Sequence, residues 1–180
     1  MPLSLLVALL AAAAPLLAMA SERWGGLNPC LLCLWQRGPY WVAALLALMA
    51  VMAMRQPRLA RVLTALAGVA ALASGVVAVV HVGVEAHWWP SPLPGCAAPN
   101  AGAARTVDDM LASLAPTPAK PCDEPTFLIP GLPVSMAAMN LLYALGLGGF
   151  ALWVAKRAPV DAEGPGAEGP SAEGPGVEGR

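Results

Sequence analysis

Charge is what this sequence has least of. Lys and Arg number 10 and Asp and Glu 11, so charged residues are 12% of the 180-residue chain, about half the share in an ordinary soluble domain. Hydrophobic residues are 58% and mean hydropathy is +0.64. That combination excludes a typical soluble domain and places the chain in a bilayer. Neither sign of charge is in excess, with a net charge of −1, so nothing draws nucleic acid or an acidic partner to it. Aromatics are scarce too, at 6%, but they are placed with economy. Trp24, Trp35, Tyr40, Trp41, Trp88, Trp89 and Trp153 stand at the edges of apolar stretches, where amphipathic rings form an interfacial belt.

What is present is four apolar runs, over residues 2–20, 39–54 (its helix beginning near Leu31), 59–84 and 132–154. Each approaches the roughly 20 residues that a helix needs to cross the hydrocarbon core. Helix is favoured over strand because a helix satisfies its own backbone in lipid, and no run alternates with period two. The expected fold is therefore an all-α membrane protein, a four-transmembrane-helix bundle with two outer loops carrying cysteine pairs. The bundle is expected over residues 1–158. The tail over 159–180 repeats Ala-Glu-Gly-Pro with variation, has almost nothing to bury, and is expected to be disordered.

Orientation follows from the basic residues. The short link between the second and third runs carries Arg55, Arg58 and Arg61, and Lys156 and Arg157 follow the fourth. The positive-inside rule puts these in the cytoplasm and both cysteine-bearing segments outside. Ala18-Met19-Ala20 before Ser21 resembles a signal-peptidase site, but no basic residue precedes the run and it is long for a signal core. A retained first helix is the preferred reading, and cleavage would leave the cysteines on the same side. Within the segment 85–131, residues 105–115 read as a short helix with Thr106 and Asp109 at its start and Val107, Met110, Leu111 and Leu114 on one face.

Cysteine is sparse, and its spacing is informative. Cys30-Leu31-Leu32-Cys33 puts two thiols three residues apart at a helix start, where the positive end of the dipole favours thiolate. Asn28 is the expected cap, with Pro29 in the first turn. The same spacing also serves zinc. Arg37 follows Cys33 by four residues, on the same face one turn deeper. It can stabilise a sulfur anion and hydrogen-bond a carbonyl-bearing ligand, or simply anchor the helix at the interface. Gly38-Pro39 interrupts the helical bonding just beyond it.

Cys96 and Cys122 are set among prolines. A disulfide between them closes a long loop, either as a staple or as an exposed, exchangeable bond; the labile disulfides are the exposed ones. His81, Glu85 and His87 cluster at the outer end of the third run, and ionisable groups at a membrane boundary are candidates for proton handling.

These residues resemble the disulfide bond formation protein B (DsbB) family. The resemblance rests on the stretch from Asn28 through Cys30, Cys33 and Gln36 to Arg37, on His81 through Trp88-Trp89-Pro90 to Cys96, and on Cys122-Asp123-Glu124-Pro125 with Asn140 in the last run. It implies catalytic cysteines at Cys30, Cys33, Cys96 and Cys122. It also implies a quinone (ubiquinone or menaquinone) held near Arg37 and His81, with no metal. The implied partner is a periplasmic thioredoxin-fold thiol oxidase, DsbA-like, and the implied location is the bacterial inner membrane. The electron path implied runs from that partner to Cys96–Cys122, then to Cys30–Cys33, then to the quinone. Gln36 stands where some members carry an acid, and nothing is assigned to it. Two rival readings predict different outcomes: stapled cysteines without redox turnover, or a four-cysteine metal site. The vitamin K epoxide reductase-like group shares the chemistry on a similar bundle, but the second cysteine pair here, between spans three and four, follows the DsbB pattern.

Overall fold

A computed structural model describes residues 3–93, 96, 120–127, 131 and 133–157. Four α-helices account for most of them: α1 Leu3–Gly25, α2 Leu31–Met52, α3 Pro57–Glu85 and α4 Met136–Arg157. All four are long and apolar enough to cross a membrane, and no strand occurs among the described residues. The short helix expected over 105–115 and the tail from 159 lie outside the described residues.

The helix ends differ from the apolar runs for local reasons. α1 continues past the expected end at residue 20 because Ser21 Oγ bonds the Ala18 carbonyl and Glu22 pairs with Arg37 of α2. α3 opens on Pro57, which has no N–H to leave unsatisfied at a helix start. α4 begins at Met136 rather than near 132. Ser135 Oγ there accepts the Ala138 N–H at 3.2 Å, and the Met136 N–H reaches the Thr126 carbonyl at 2.8 Å.

α3 sits centrally, packed on α2 and α4, while α1 lies mainly against α2. The core is built from small side chains: Ala43, Ala47, Ala67, Ala71, Ala144 and Ala151, closed by Val7 and Tyr40. Leu9, Leu17, Leu45, Val69, Val76 and Leu142 point outward. This inversion suits a bundle in lipid, where large apolar groups gain nothing by turning inward and small ones let backbones approach. Of the expected belt, the tryptophans are exposed, but Tyr40 is only 2% exposed. Its hydroxyl donates to Asn140 Oδ1, 2.8 Å away inside the bundle, which outweighs the interfacial preference.

The α3–α4 contact depends on Gly148. A Cβ there would lie 2.5 Å from Leu72 Cγ and 3.1 Å from the Gly68 carbonyl oxygen. Gly148→Ala should therefore destabilise the bundle by about 1–3 kcal/mol, as overpacking does. Gly146→Ala on the same helix meets nothing within 4 Å and should not. Thermal denaturation of the two variants in one detergent checks the difference.

Candidate active site

The site begins where the chain turns into α2. Cys30 is the cap, in an extended conformation, and its own Sγ accepts the Cys33 backbone N–H at 3.3 Å. Asn28, the expected cap, is exposed two residues earlier. The sulfur does the work because it already sits over the first turn, and that places the two Sγ atoms 2.8 Å apart as free thiols sharing a hydrogen bond.

The Cys30 thiol is pushed well below the ordinary thiol value, first by its hydrogen bond with Cys33 and then by His81, with burial opposing both. A depressed pKa means that thiolate persists as pH falls, until pH passes through that lowered value. An ordinary thiol loses it near about 8.5. The ultraviolet thiolate absorbance of the reduced pair should thus hold across neutral pH, and Cys33→Ala should move its midpoint upward. A midpoint near that of a free thiol in the wild type would refute this.

Cys96 and Cys122 form a disulfide. It is not exposed: Cys96 is 2% and Cys122 0% accessible. The two pairs meet, because Cys30, Leu32, Val84, Cys96 and Cys122 form one buried cluster. The exposed alternative is thus corrected: Leu31, Cys33, Val77 and Leu93 pack against the cluster that holds these sulfurs. An approach is open among the described residues. A cavity of about 380 Å³ bordered by Val84, Trp89, Pro90, Leu93 and Asp123 reaches Cys96. Trp89 forms one wall by lying on α3, its indole N–H donating to the Val80 carbonyl at 3.1 Å.

With two cysteines bonded to each other, the four-thiolate metal site is not assembled. The sulfurs of Cys30 and Cys33 and a His81 nitrogen do lie within 4.8 Å of one another, a donor set that soft divalent cations accept.

His81 is 2% exposed. Its Nε2 lies 3.5 Å from Cys30 Sγ and 3.7 Å from Glu85 Oε1, and Ser135 Oγ donates to Glu85 Oε2 at 2.5 Å. Its Nδ1 meets Gln36 Nε2 at 3.0 Å. Behind Gln36 stands Asn140, whose Nδ2 donates to Gln36 Oε1 at 3.0 Å and to Ser74 Oγ at 3.3 Å. His87, by contrast, is exposed and bonds only the Glu85 carbonyl through Nδ1.

Cys33 packs against the same cluster but also borders another space. Together with Arg37, Gln36, Tyr40 and Asn140 it lines a cavity of about 70 Å³. A second cavity of about 210 Å³ shares Ala14, Ala18, Met136 and Asn140 with the first and continues past Leu17 and Tyr143. The pair makes a lateral groove between α1 and α4. Arg37 is fixed over it by Glu22, and its Nε is buried without a hydrogen-bond partner among the described residues.

The profile of the disulfide bond formation protein DsbB family matches residues 2–154. The chain belongs to the DsbB family. It is accordingly a multi-pass, disulfide-bond-forming membrane protein. No curated protein and no solved structure matches the chain. Measured against what the DsbB resemblance implies, the fold brings Cys30, Cys96, Cys122 and His81 to one place, and sets Cys33 and Arg37 on the groove beside it. His81 lies against Cys30 and not among the groove's lining residues.

Sequence reasoning left Gln36 unassigned and passed over Glu22, Ser74 and Ser135. The signal was there for two of them. Gln36 and Ser74 are polar side chains inside apolar spans, and such residues turn toward the bundle interior. Glu22 carried no comparable signal, since it sits past the apolar run with no spacing to Arg37 that one helix could explain.

Proposed function

We propose that the chain is a thiol:quinone oxidoreductase that reoxidises a periplasmic thioredoxin-fold (DsbA-like) disulfide oxidase and passes the electrons to a membrane quinone, ubiquinone or menaquinone. The observation that carries the reading is the division of the first pair. Cys30 is buried in one cluster with the Cys96–Cys122 disulfide, while Cys33, at the edge of that cluster, also lines a groove beside an arginine whose Nε–H has no partner among the described residues.

The assigned roles follow from those surroundings. A thiolate of the reduced partner attacks Cys96, the sulfur that the outer cavity reaches, and releases Cys122; the partner leaves as its own disulfide. With Cys30 and Cys33 in their oxidised, bonded form, the Cys122 thiolate then attacks Cys30 and releases Cys33, and Cys96 attacks Cys122 in turn and releases Cys30; Cys96–Cys122 is closed again and Cys30 and Cys33 are left as thiols. In the last step the Cys30–Cys33 bond forms, two S–H bonds break, and two electrons and two protons leave through the groove. A quinone held there would supply the acceptor for both, two electrons and two protons making one quinol. Arg37 would hold the acceptor's carbonyl oxygen, since it is the one cation lining the groove and its Nε–H has no partner among the described residues. A fixed cation in so dry a place stabilises the charge that builds on sulfur and oxygen. Arg55, Arg58, Arg61, Lys156 and Arg157 at the opposite end of the bundle support an inner-membrane orientation with the cysteines in the periplasm.

The test is quinol formation by the purified protein given a reduced thioredoxin-fold oxidase and either quinone. One quinol per partner disulfide is expected. No quinol with either acceptor, while the partner remains competent with another oxidant, would remove the proposal.

A further inference from the structure

The hydrogen bonds behind His81 have only one consistent direction. The backbone carbonyl of Gln36 is an acceptor and nothing else, so the Ser74 hydroxyl must donate to it, at 2.8 Å. That uses the one hydrogen Ser74 has. Whatever faces Ser74 Oγ from Asn140, 3.3 Å away, is therefore a donor, and the Asn140 amide is fixed with Nδ2 on this side. Its carbonyl oxygen then faces Tyr40, whose hydroxyl donates at 2.8 Å. The second hydrogen on Nδ2 points to Gln36 at 3.0 Å and must find Oε1 there. Gln36 is thereby fixed as well, with its NH2 turned to His81 Nδ1 at 3.0 Å. Here a main-chain carbonyl sets one end of the chain and every later choice follows.

We infer that Gln36, locked by Asn140 and Ser74, is a positioning residue that keeps His81 in the tautomer protonated at Nε2, so that the imidazole donates to the Cys30 sulfur instead of taking its proton. Nδ1 accepts from Gln36, so the ring hydrogen is on Nε2. That nitrogen lies 3.5 Å from Cys30 Sγ, with Glu85 Oε1 at 3.7 Å on its other side. An N–H aimed at a buried sulfur favours its anionic form. Asn140 and Ser74 act two bonds away, touching neither sulfur nor imidazole. The tautomer stands on the hydrogen bonds alone. Its consequence, a Cys30 sulfur held ready to leave and to return during exchange, rests on the proposed function.

The chain has two histidines, so a His87→Gln protein labelled with 15N-histidine reports on His81 only. With Cys30 and Cys33 reduced, Nδ1 should resonate in the pyridine-type region and Nε2 in the pyrrole-type region. A pyrrole-type Nδ1, alone or with Nε2, overturns the inference. Asn140→Asp adds a remote test. A carboxylate can only accept, so the Gln36 NH2 must turn toward it and present Oε1 to His81. Nδ1 should then move to the pyrrole-type region, although residue 140 does not touch the ring. A folded Asn140→Asp protein with an unmoved Nδ1 would overturn the relay. Should that variant fail to fold, the His87→Gln spectrum decides by itself. A correct tautomer in a protein that reduces no quinone would leave the inference intact and refute the proposed function.

Discussion

Cys33→Ala should abolish quinol formation while the first exchange with the soluble partner survives. Cys33 is the one cysteine bordering the groove between α1 and α4, and Cys30 alone cannot close a disulfide. The loss should be on the order of 10⁴-fold or more, the scale seen when a reacting nucleophile is removed. The Cys96–Cys122 bond is untouched by this change and remains reachable from the outer cavity. One equivalent of reduced partner per chain should therefore still be oxidised, after which the reaction stops. Quinol absorbance measures the first quantity and titration of partner thiols the second. Sustained turnover in the variant would mean that another group hands electrons to the quinone. Absence of even the single equivalent would mean that the outer disulfide is a staple.

That two-part outcome depends on a separation of roles visible only in part from the sequence. The CxxC spacing and the position of Arg37 one turn beyond Cys33 lie within a single helix, where 3.6 residues per turn fixes who faces whom. The four spans were legible for the same reason, since each is a continuous apolar run whose composition needs no partner to interpret. What connects different helices was not legible in this way. His81 and Cys30 are 51 residues apart, and nothing in either local pattern says that they meet. Tyr40 was read as interfacial because it stands at the edge of an apolar run. The structure turns it inward to Asn140, 100 residues away.

The burial of Cys96–Cys122 was hidden similarly. A proline-rich setting suits exposure, but the apolar groups packed against the sulfurs' cluster include Leu31 of α2 and Val77 of α3, which no local pattern around Cys96 or Cys122 announces. Gln36 shows the reverse case. Its polarity inside a span announced an interior position, yet its value as a tautomer lock comes from the order of donors and acceptors across α2, α3 and α4. No single-helix periodicity contains that order.

Arg37→Ala should lower quinone-dependent turnover by about 10²–10³-fold, the usual cost of removing one charged or hydrogen-bonding group that meets developing negative charge. Partner oxidation by the preformed Cys96–Cys122 bond should change little, because Arg37 borders the α1–α4 groove and not the cavity that reaches Cys96. Charge and geometry can be separated by a second substitution. Arg37→Lys keeps the cation but replaces a planar fork with a point charge, and it removes the Nε–H that the fold leaves buried and unpartnered. If that donor binds the acceptor's oxygen, Arg37→Lys should raise KM for quinone and recover only part of kcat. If Arg37 merely anchors α2 at the membrane surface, lysine should restore turnover fully, since both side chains snorkel. Glu22→Gln distinguishes holding from binding. It loosens the guanidinium from α1 without deleting any donor, so it should raise KM for quinone while leaving thiol exchange alone. Equal losses in both half-reactions for Arg37→Ala would show a damaged fold and withdraw Arg37 from the quinone site.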